Sequence, residues 1–231
     1  MAFGAVAAAG VAPAADDLDA VGVGADDGWV DRRLVGRGGM AGRSVGAAPR
    51  VLTTFRWGLV PSWAKDPGVG NRMINARAET VATKNAYRKA FRKHRCIIPA
   101  DGFYEWKVVP GQKRKQPMFI DRPDGEPMAF AGLWEVWRDP NDPGRELHSC
   151  TVITGPANEK MAEVHDRMPV MLPPSVWDTW LDPEVQDVDL LGTFLVPAPP
   201  EVIQLRPVSP EVNNVRNTGP HLLDPFEPEP S

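Results

Sequence analysis

The stretch "RCIIPADGFYEWKVV", from Arg95 to Val109, predicts one or two strands with a turn pair, Asp101-Gly102, in the middle. Side chains alternate between the two faces of a strand, so Glu105 points away from the rings of Tyr104 and Trp106. If the rings face a core, Glu105 faces water. If the rings line a ligand groove, Glu105 is available for chemistry, and the strand pattern alone allows both interpretations.

The segments on either side of this stretch carry similar patterns. Before it, "TTFRWGLVPSW" predicts a strand that ends at Pro61, and "AETVATKNAYRKAFRKHR" predicts one helix or two short ones. After it, "GQKRKQ" is a hairpin loop that leads into the strand "PMFID". "RPDG" is a turn, because Pro presets the second turn position and Gly relieves the fourth.

The remaining segments complete an α+β pattern. "EPMAFAGLWEVW" and "ELHSCTVIT" predict strands joined by the loop "RDPNDPG". "GPANEKMAEVH" predicts a short helix, "RMPVML" a strand, "PPSVWDTWL" a helix opened by proline, and "EVIQLRPVS" a late strand. We therefore expect an α+β fold of mostly antiparallel strands, closed into a barrel-like sheet with peripheral helices.

Composition divides the 231-residue chain into three parts. Ala, Gly and Val supply 30 of the first 50 residues, and Lys, Glu, Ile, Tyr and Cys are absent there. A segment of such low complexity buries little surface, so residues 1–50 are expected to be poorly ordered. Residues 51–225 have ordinary composition and length for one domain, and residues 226–231 form a disordered tail.

Charge and cysteine content narrow the class of protein. The net charge of -4 gives no global case for nucleic acid, so any such site must be local. Cys96 and Cys150 are the only cysteines and show no metal spacing, which indicates a reduced cytoplasmic protein with no metal and no cofactor. No apolar run is long enough to span a membrane, and the apolar opening lacks the positive start of a secretion signal.

Three polar groups are candidates for chemistry, and each also has an ordinary structural explanation. In "MINARAET", Asn75 and Arg77 lie on one face if the segment is extended, and together they could bind a phosphate or a sugar. The alternative is a turn asparagine followed by a solvated arginine. Glu105 is the second. In "EVHDRMPVML", His165 and Arg167 sit between a helix and a strand, where function is common, although a lone histidine there is more often a capping or packed residue.

A fourth feature is the basic segment Lys84 to Arg95, which has six Lys or Arg and no acid. Tyr87, Ala90 and Phe91 are spaced to anchor one helical face, which leaves the other faces cationic. The segment is either a solvated helix face or a phosphate-binding surface.

Five ordered blocks together resemble the SRAP family, the SOS response-associated peptidases described as abasic-site processing proteins. The blocks are "RWGLVPSWAKD", "RMINARAET", "CIIPADGFYEW", "TVITGPANEKMAEVHDRMPVML" and "VSPEVNNVRNTGP". The resemblance covers residues 53–225. It implies a monomeric protein that binds single-stranded DNA with abasic sites during the DNA damage response and joins covalently to the ring-opened sugar.

The resemblance also implies roles for individual residues. Asn75, Glu105 and His165 would be catalytic, with Asn75 holding the reacting groups and the other two moving protons. Arg77 and Arg167 would bind phosphates, and Thr154 would contact DNA. Three tryptophans would stack on unpaired bases: Trp57, Trp63 and Trp106.

One departure from the family concerns the nucleophile. Family members begin Met-Cys-Gly-Arg, and the cysteine exposed after loss of Met1 closes a thiazolidine on the sugar aldehyde with its amine and thiol. Here residue 2 is Ala, and the spacing from Met1 to Asn75 is about that of the family although the composition of residues 1–50 is foreign to it. This combination is typical of a reading-frame artefact or of a frameshifted pseudogene product, and without the thiol no thiazolidine can form.

Three hypotheses follow. The first is an abasic-site cross-linking protein whose N-terminal sequence is incorrect. The second, which ranks first for the chain as written, is a non-covalent single-stranded DNA-binding relic. The third is a stand-alone peptidase or other hydrolase that uses Glu105 and His165, although no Ser or Cys adjoins His165 in sequence.

Overall fold

Seven strands of the described residues form one curled sheet. The computed structural model describes residues 32–37 and 50–227, with side chains from residue 53 onward except residue 143. The strands are β1 (Arg32–Arg37), β2 (Arg50–Trp57), β3 (Asn75–Arg77), β4 (Arg95–Ala100), β7 (Met128–Asp139), β8 (Asp142–Pro156) and β9 (Arg167–Pro169). Their order is β2-β1-β4-β7-β8-β3, with β9 on β8.

The sheet closes because β2 also pairs with β8. Arg56 lies beside Ser149 and Trp57 beside Cys150 in a parallel ladder, so β2, the first strand of the series, also pairs with β8 near its other end. This closure removes the exposed edges of those strands and confirms the expected barrel-like sheet. The pairing of β3 with β8 is also parallel, whereas the ladders β1–β2, β4–β7 and β7–β8 are antiparallel.

A smaller antiparallel sheet packs against the larger one. It consists of β5 (Gly102–Lys107), β6 (Gln116–Asp121) and β10 (Gln204–Pro207), in the order β10-β6-β5. The "GQKRKQ" hairpin between β5 and β6 and the "RPDG" turn are as predicted, with Gly125 at a φ of 76°. Within this sheet β5 and β10 are the two edge strands.

Alternation along the strands divides the core into layers. Residues such as Ile98, Phe130 and Val152 face the smaller sheet and meet Phe103 and Ile120 there. Ile97, Leu133 and Ile153 of the same strands point the other way, against Phe91 and Trp180 of the helices. Tyr104 and Phe119 form a further cluster on the outer face of the smaller sheet. The larger sheet is therefore covered on both faces.

The helices are shorter than the sequence pattern predicts. Three α-helices are described: α1 (Arg88–Lys93), α2 (Trp177–Leu181) and α3 (Val188–Gly192). The prediction of helix across Ala78–Arg95 is wrong for its first half, which is a series of turns in which Thr83 Oγ1 donates to the Thr80 carbonyl. Hydroxyl side chains compete with helical hydrogen bonds in this way.

Other boundaries also differ from the prediction. Strand β2 ends at Trp57 and not at Pro61, since Gly58 adopts a φ of 108° and packs against the backbone of Gly70. The helix expected in "GPANEKMAEVH" is the single 3-10 turn Met161–Glu163. The loop "RDPNDPG" is a tight link between Asp139 and Asp142, the end of β7 and the start of β8.

A buried arginine joins α1 to α2. The guanidinium of Arg95 donates to the carbonyls of Trp180 at 2.6 Å, Phe91 at 2.8 Å and Val185 at 2.9 Å, and also to those of Arg92 and Asp182. Burial lowers the pKa of Arg95 to about 10. One side chain thus satisfies five backbone acceptors, at the C-terminal end of α1 and at and just beyond that of α2.

The predicted division of the chain stays a prediction. Most of residues 1–50 and the tail from residue 228 lie outside the described residues, and within the first segment the backbone of Arg32–Arg37 forms β1. In the described parts of the chain, no helix is long and apolar enough to cross a membrane.

Candidate active site

Glu105 lies on the face of β5 that is directed into the layer between the two sheets. It alternates with Tyr104 and Trp106, which pack on the outer cluster, and its cross-strand neighbour is Met118. Only 6% of its surface is exposed. Both faces of β5 are therefore covered, so the alternative of a solvent-facing glutamate is excluded.

Burial changes the acidity of this carboxyl group. Desolvation raises the pKa of Glu105 above its usual value, while the nearby charges of His165 and Lys115 and the Trp106 N–H oppose the rise. The Trp106 N–H lies 3.4 Å from Oε2. A carboxyl group whose pKa is raised and that lies beside an imidazole is suited to proton transfer.

His165 is held by the loop between the 3-10 turn Met161–Glu163 and β9. Its backbone N–H donates to the Met161 carbonyl at 3.0 Å. Its Nδ1 accepts the Arg167 N–H at 2.9 Å and lies 3.1 Å from Oδ1 of Asp166. Nδ1 cannot both accept from an N–H and donate to a carboxylate. Because Asp166 is largely solvated, we assign Nδ1 as the acceptor of the Arg167 N–H. When the imidazole is neutral, this contact places its proton on Nε2.

An ion pair connects β5 with this loop. Lys107, at the end of β5, lies 3.3 Å from Oε2 of Glu163 in the 3-10 turn. Together with the influence of His165 on the pKa of Glu105, this contact shows that β5 passes beside the His165 loop. Glu105 and His165 are therefore brought together although they are distant in sequence.

Asn75 approaches from the larger sheet. Strand β3 pairs with β8 so that Asn75 lies beside Val152 and Arg77 beside Thr154. On its other side, Thr154 pairs with Pro169 of β9, the strand that follows His165. The expected extended conformation of Asn75–Arg77 is confirmed, with Ala76 buried between the two polar residues. One short stretch of β8 thus joins the Asn75 strand to the His165 loop.

The two arginines expected to bind phosphate differ in their surroundings. Arg77 is exposed on β3. The guanidinium of Arg167 donates to both carboxylate oxygens of Glu79 and to the Thr154 carbonyl. Thr154 itself is 3% exposed and accepts from Nε of Arg167 at 3.4 Å. Thr154 therefore positions Arg167 in this structure.

The tryptophans expected to stack on bases fall into two groups. Trp63 is 62% exposed. Trp57 and Trp106 are half-buried, and each indole N–H is occupied: Trp57 donates to the Ile74 carbonyl at 2.9 Å and Trp106 to Oδ1 of Asn213 at 2.7 Å. Trp57 thus fixes the backbone next to Asn75, and Asn213 fixes the ring beside Glu105.

Several neighbours of the site were not identified from the sequence. Glu79 lies two residues after Arg77, and this spacing is the one sequence feature that places both side chains on the same face of an extended segment. The hydroxyl of Tyr87 donates to the Asn75 carbonyl at 3.4 Å. Lys115 belongs to a loop and Asn213 to the short 3-10 segment Pro210–Asn213, where periodicity carries no information about contacts.

The described residues offer neither a metal-binding cluster nor an accessible thiol. Over the described residues, no group of three or more His, Cys, Asp or Glu side chains is placed to hold a metal ion. Cys96 and Cys150 are both buried, and desolvation raises the pKa of Cys96 well above its usual value. A buried thiol with a raised pKa is a poor nucleophile.

Comparison with known proteins agrees with this architecture. The family described as SOS response associated peptidase (SRAP) matches residues 34–215. The chain belongs to this family.

Curated relatives and solved structures give the same result. The chain is 45% identical to the abasic site processing protein YoqW of Bacillus subtilis over 173 residues, covering 75% of this chain and 76% of the relative. It is 34% identical to the abasic site processing protein YedK of Escherichia coli, with 73% and 72% covered. A crystal structure of a Bacteroides thetaiotaomicron protein matches with a TM-score of 0.68 and 26% identity, over 76% of this chain and 77% of that one.

Proposed function

We propose that this protein is an abasic-site processing protein that acts on single-stranded DNA in the DNA damage response. The names of its relatives and its membership of the family support abasic-site processing. Single-stranded DNA is the partner that suits half-buried and exposed tryptophan rings, because unpaired bases stack on them. The protein acts as a monomer in the cytoplasm, where Cys96 and Cys150 stay reduced.

The buried Glu105 beside His165 is the observation that carries the proposal. Opening a deoxyribose ring and losing water from a carbinolamine each require a proton donor and a proton acceptor. The raised pKa of Glu105 suits it to exchange a proton with the sugar oxygen, and the Nε2 of His165 supplies the second group. Because Glu105 and His165 lie in different environments, one can donate a proton and the other can accept one in both ring opening and loss of water.

The surrounding polar residues orient the DNA. The carboxamide of Asn75 holds the sugar and the attacking amine in line, and Arg77 binds a flanking phosphate. Arg167 reaches a second phosphate only by exchanging its contacts with Glu79. Trp63 and Trp106 face the bases next to the abasic position.

Covalent attachment requires a nucleophile that this chain lacks at residue 2. An α-amine attacks the sugar aldehyde and releases water to give an imine, and a neighbouring thiol adds to the imine carbon to close a stable ring. With Ala at residue 2 only the reversible imine forms. The chain as written is therefore a non-covalent or reversibly attached binder of abasic DNA.

A hydrolase acting on peptides is the second candidate, and only the family's peptidase description favours it. It would need a nucleophile or an activated water beside Glu105 and His165. The two cysteines are buried among apolar side chains and do not meet this need.

A native mobility shift tests the proposal. We expect the full chain to bind a single-stranded oligonucleotide with one abasic site more tightly than the intact duplex, with a steep loss of affinity as salt rises. Asn75→Ala and Glu105→Gln should alter the preference for the abasic strand over an undamaged strand. Absence of binding to the abasic strand at low salt would refute the proposed function, and cleavage of a generic peptide substrate would favour the hydrolase.

A further inference from the structure

A basic cleft beside α1 has no role in the chemistry described above. It has a volume of about 520 Å³ and lies between the turns that follow β3 and the helix itself. Its lining consists of Ala82 and Thr83 on the side of the turns, and of Arg88, Lys89 and Arg92 on the side of the helix. Three of these five residues are cations and none is an acid, so the cleft is suited to an anionic ligand.

Core contacts fix the orientation of the helix that forms one wall. Ala90 and Phe91 are each 1% exposed and belong to the core cluster beneath α1. With 3.6 residues per turn, Arg88, Lys89 and Arg92 then lie on the outward side of the helix, and all three are exposed. The cationic wall is therefore held in place by the packing of the opposite side of the helix.

The positive charge of this segment is not neutralised by other side chains. The sequence from Lys84 to Arg95 contains six Lys or Arg and no Asp or Glu. Arg95 is buried, and the other five are exposed: Lys84, Arg88, Lys89, Arg92 and Lys93. These five take part in none of the ion pairs between side chains that the structure describes. In a protein of net charge -4, this surface is a local concentration of positive charge.

The lining of the cleft favours a phosphate backbone over unpaired bases. Arg88 and Arg92 are four residues apart, which places their Cβ atoms about 5–6 Å from each other on one side of the helix. A guanidinium binds two phosphate oxygens at once. Among the described residues that line the cleft, none is aromatic, so an unpaired base would have no ring to stack on. Double-stranded DNA presents its phosphates outward and keeps its bases stacked, and it fits this lining better than a single strand.

The cleft lies on the other side of the larger sheet from the candidate active site. The helix α1 packs on the face covered by helices, whereas Glu105 is directed into the layer between the two sheets. In β3, Ala76 points toward the α1 side, and its neighbours Asn75 and Arg77 alternate to the opposite side. A DNA segment in the cleft therefore does not occupy the space that the sugar chemistry needs.

We infer that this cleft binds the phosphodiester backbone of undamaged double-stranded DNA and is a second DNA-binding surface of the protein. Successive phosphates of one strand bind Arg88, Lys89 and Arg92, and Lys84 and Lys93 extend the positive surface. The contact is independent of base sequence and of an abasic lesion. The inference goes beyond the proposed function, because it lets the protein hold a duplex segment whether or not a single strand occupies the candidate active site.

Binding of an undamaged, blunt-ended duplex, followed by fluorescence anisotropy, tests the inference without the candidate active site. The wild type should bind with a dissociation constant of about 1 to 100 μM at physiological salt, the usual range for contacts that do not depend on sequence. R88Q/K89Q should bind about tenfold more weakly at low salt, and the slope of log K against log salt should become shallower by about 1.8, at about 0.9 per phosphate contact. R88K/K89R keeps both charges and should retain most of the affinity.

A matched control removes two charges elsewhere. Arg138 and Arg145, with side chains 67% and 69% exposed, lie at the link between β7 and β8, and R138Q/R145Q should leave duplex affinity and salt slope unchanged. Equal duplex binding by the wild type and R88Q/K89Q would overturn the inference. If the wild type ignores the duplex but binds a peptide rich in Asp and Glu, and R88Q/K89Q does not, the partner is an acidic protein and the assignment to DNA is wrong.

A single-stranded oligonucleotide with one abasic site separates this inference from the proposed function. R88Q/K89Q should bind that strand as the wild type does. An equal loss of affinity for the strand and for the duplex would show that the cleft belongs to the candidate active site, which would overturn a second surface. If the wild type binds the duplex through the cleft but does not bind the abasic strand, the proposed function fails and the inference holds. Thermal melts of each variant separate lost binding from lost folding.

Discussion

Arg167 donates to both carboxylate oxygens of Glu79, at 2.9 and 3.1 Å, and this pair lies on the rim of the candidate site. The bidentate geometry matches that of an arginine with a phosphate. The carboxylate of Glu79 therefore occupies the position that a phosphate oxygen pair would take, and under the proposed function DNA must displace it before Arg167 can bind the backbone.

Removing this competitor should strengthen DNA binding. We expect Glu79→Gln to tighten binding of single-stranded DNA about two- to fivefold, the usual worth of a partly exposed ion pair. Glu184→Gln is a suitable control, because it removes one exposed acid near α2. Titrations by anisotropy give both affinities, and unchanged or weaker binding by Glu79→Gln would mean that Arg167 has a structural role only.

The same pair should contribute a small, pH-dependent stability. The hydrogen bond from Arg167 lowers the folded-state pKa of Glu79 below its unfolded value, although half of the Glu79 side chain is exposed and solvent screens the effect. The contribution is present above the unfolded pKa and is lost as pH falls through the folded pKa. Urea unfolding of wild type and Glu79→Gln should differ by less than about 1 kcal/mol at pH 7 and converge in acid.

Glu105 should show the opposite dependence. Burial raises its folded-state pKa above the unfolded value, so the ionised carboxylate destabilises the fold at neutral pH, and this cost disappears as pH falls below the unfolded pKa. Glu105→Gln is therefore expected to raise the unfolding midpoint at pH 7 to 8 while impairing processing of abasic DNA. A lower midpoint at pH 7, with no dependence on pH, would show that the carboxylate is a structural acceptor.

Arg95 is expected to contribute to folding stability and not to DNA binding. Lysine at this position retains the charge but cannot reach five carbonyls, so Arg95→Lys should cost about 2 to 4 kcal/mol in unfolding free energy. Arg88→Lys, on the exposed face of α1, should cost little. Urea denaturation measures both, and a loss below about 1 kcal/mol for Arg95→Lys would contradict the role of Arg95 as a shared helix cap.

The residue at position 2 should decide whether a stable adduct forms. Residue 2 lies outside the described residues, and its identity as Ala is a fact of the sequence. We expect no heat-stable adduct between this chain and abasic single-stranded DNA on a denaturing gel. A chain in which residues 1–50 are replaced by a family-type Met-Cys-Gly-Arg start should form one that depends on Asn75 and Glu105.

Two controls accompany this gel. Cys96→Ala and Cys150→Ala should leave the adduct of the altered chain unchanged, because both thiols are buried in the core. If the unaltered chain gives a stable band that disappears in either variant, the substituted cysteine is the nucleophile, which would contradict this expectation.

Sequence patterns predicted those features that depend on local alternation. The barrel-like antiparallel sheet, the hairpin after Lys107 and the extended Asn75–Arg77 segment follow from period-two patterns and turn residues. The burial of Glu105 could not be predicted, since alternation shows which residues share a face but not whether a remote segment covers it. The ion pair of Arg167 with Glu79 and the contact of Trp106 with Asn213 likewise join distant segments.

The parallel pairing of β3 with β8 also has a consequence for the order of folding. The β7–β8 hairpin needs only a tight link to form, whereas β3 must close a long loop to reach Val152, and β10 must do the same to reach β6. Pairings of high sequence separation form slowly. We therefore expect early folding intermediates to contain the hairpin but neither the Asn75 strand nor the completed small sheet, so that DNA affinity is acquired only in the last kinetic phase.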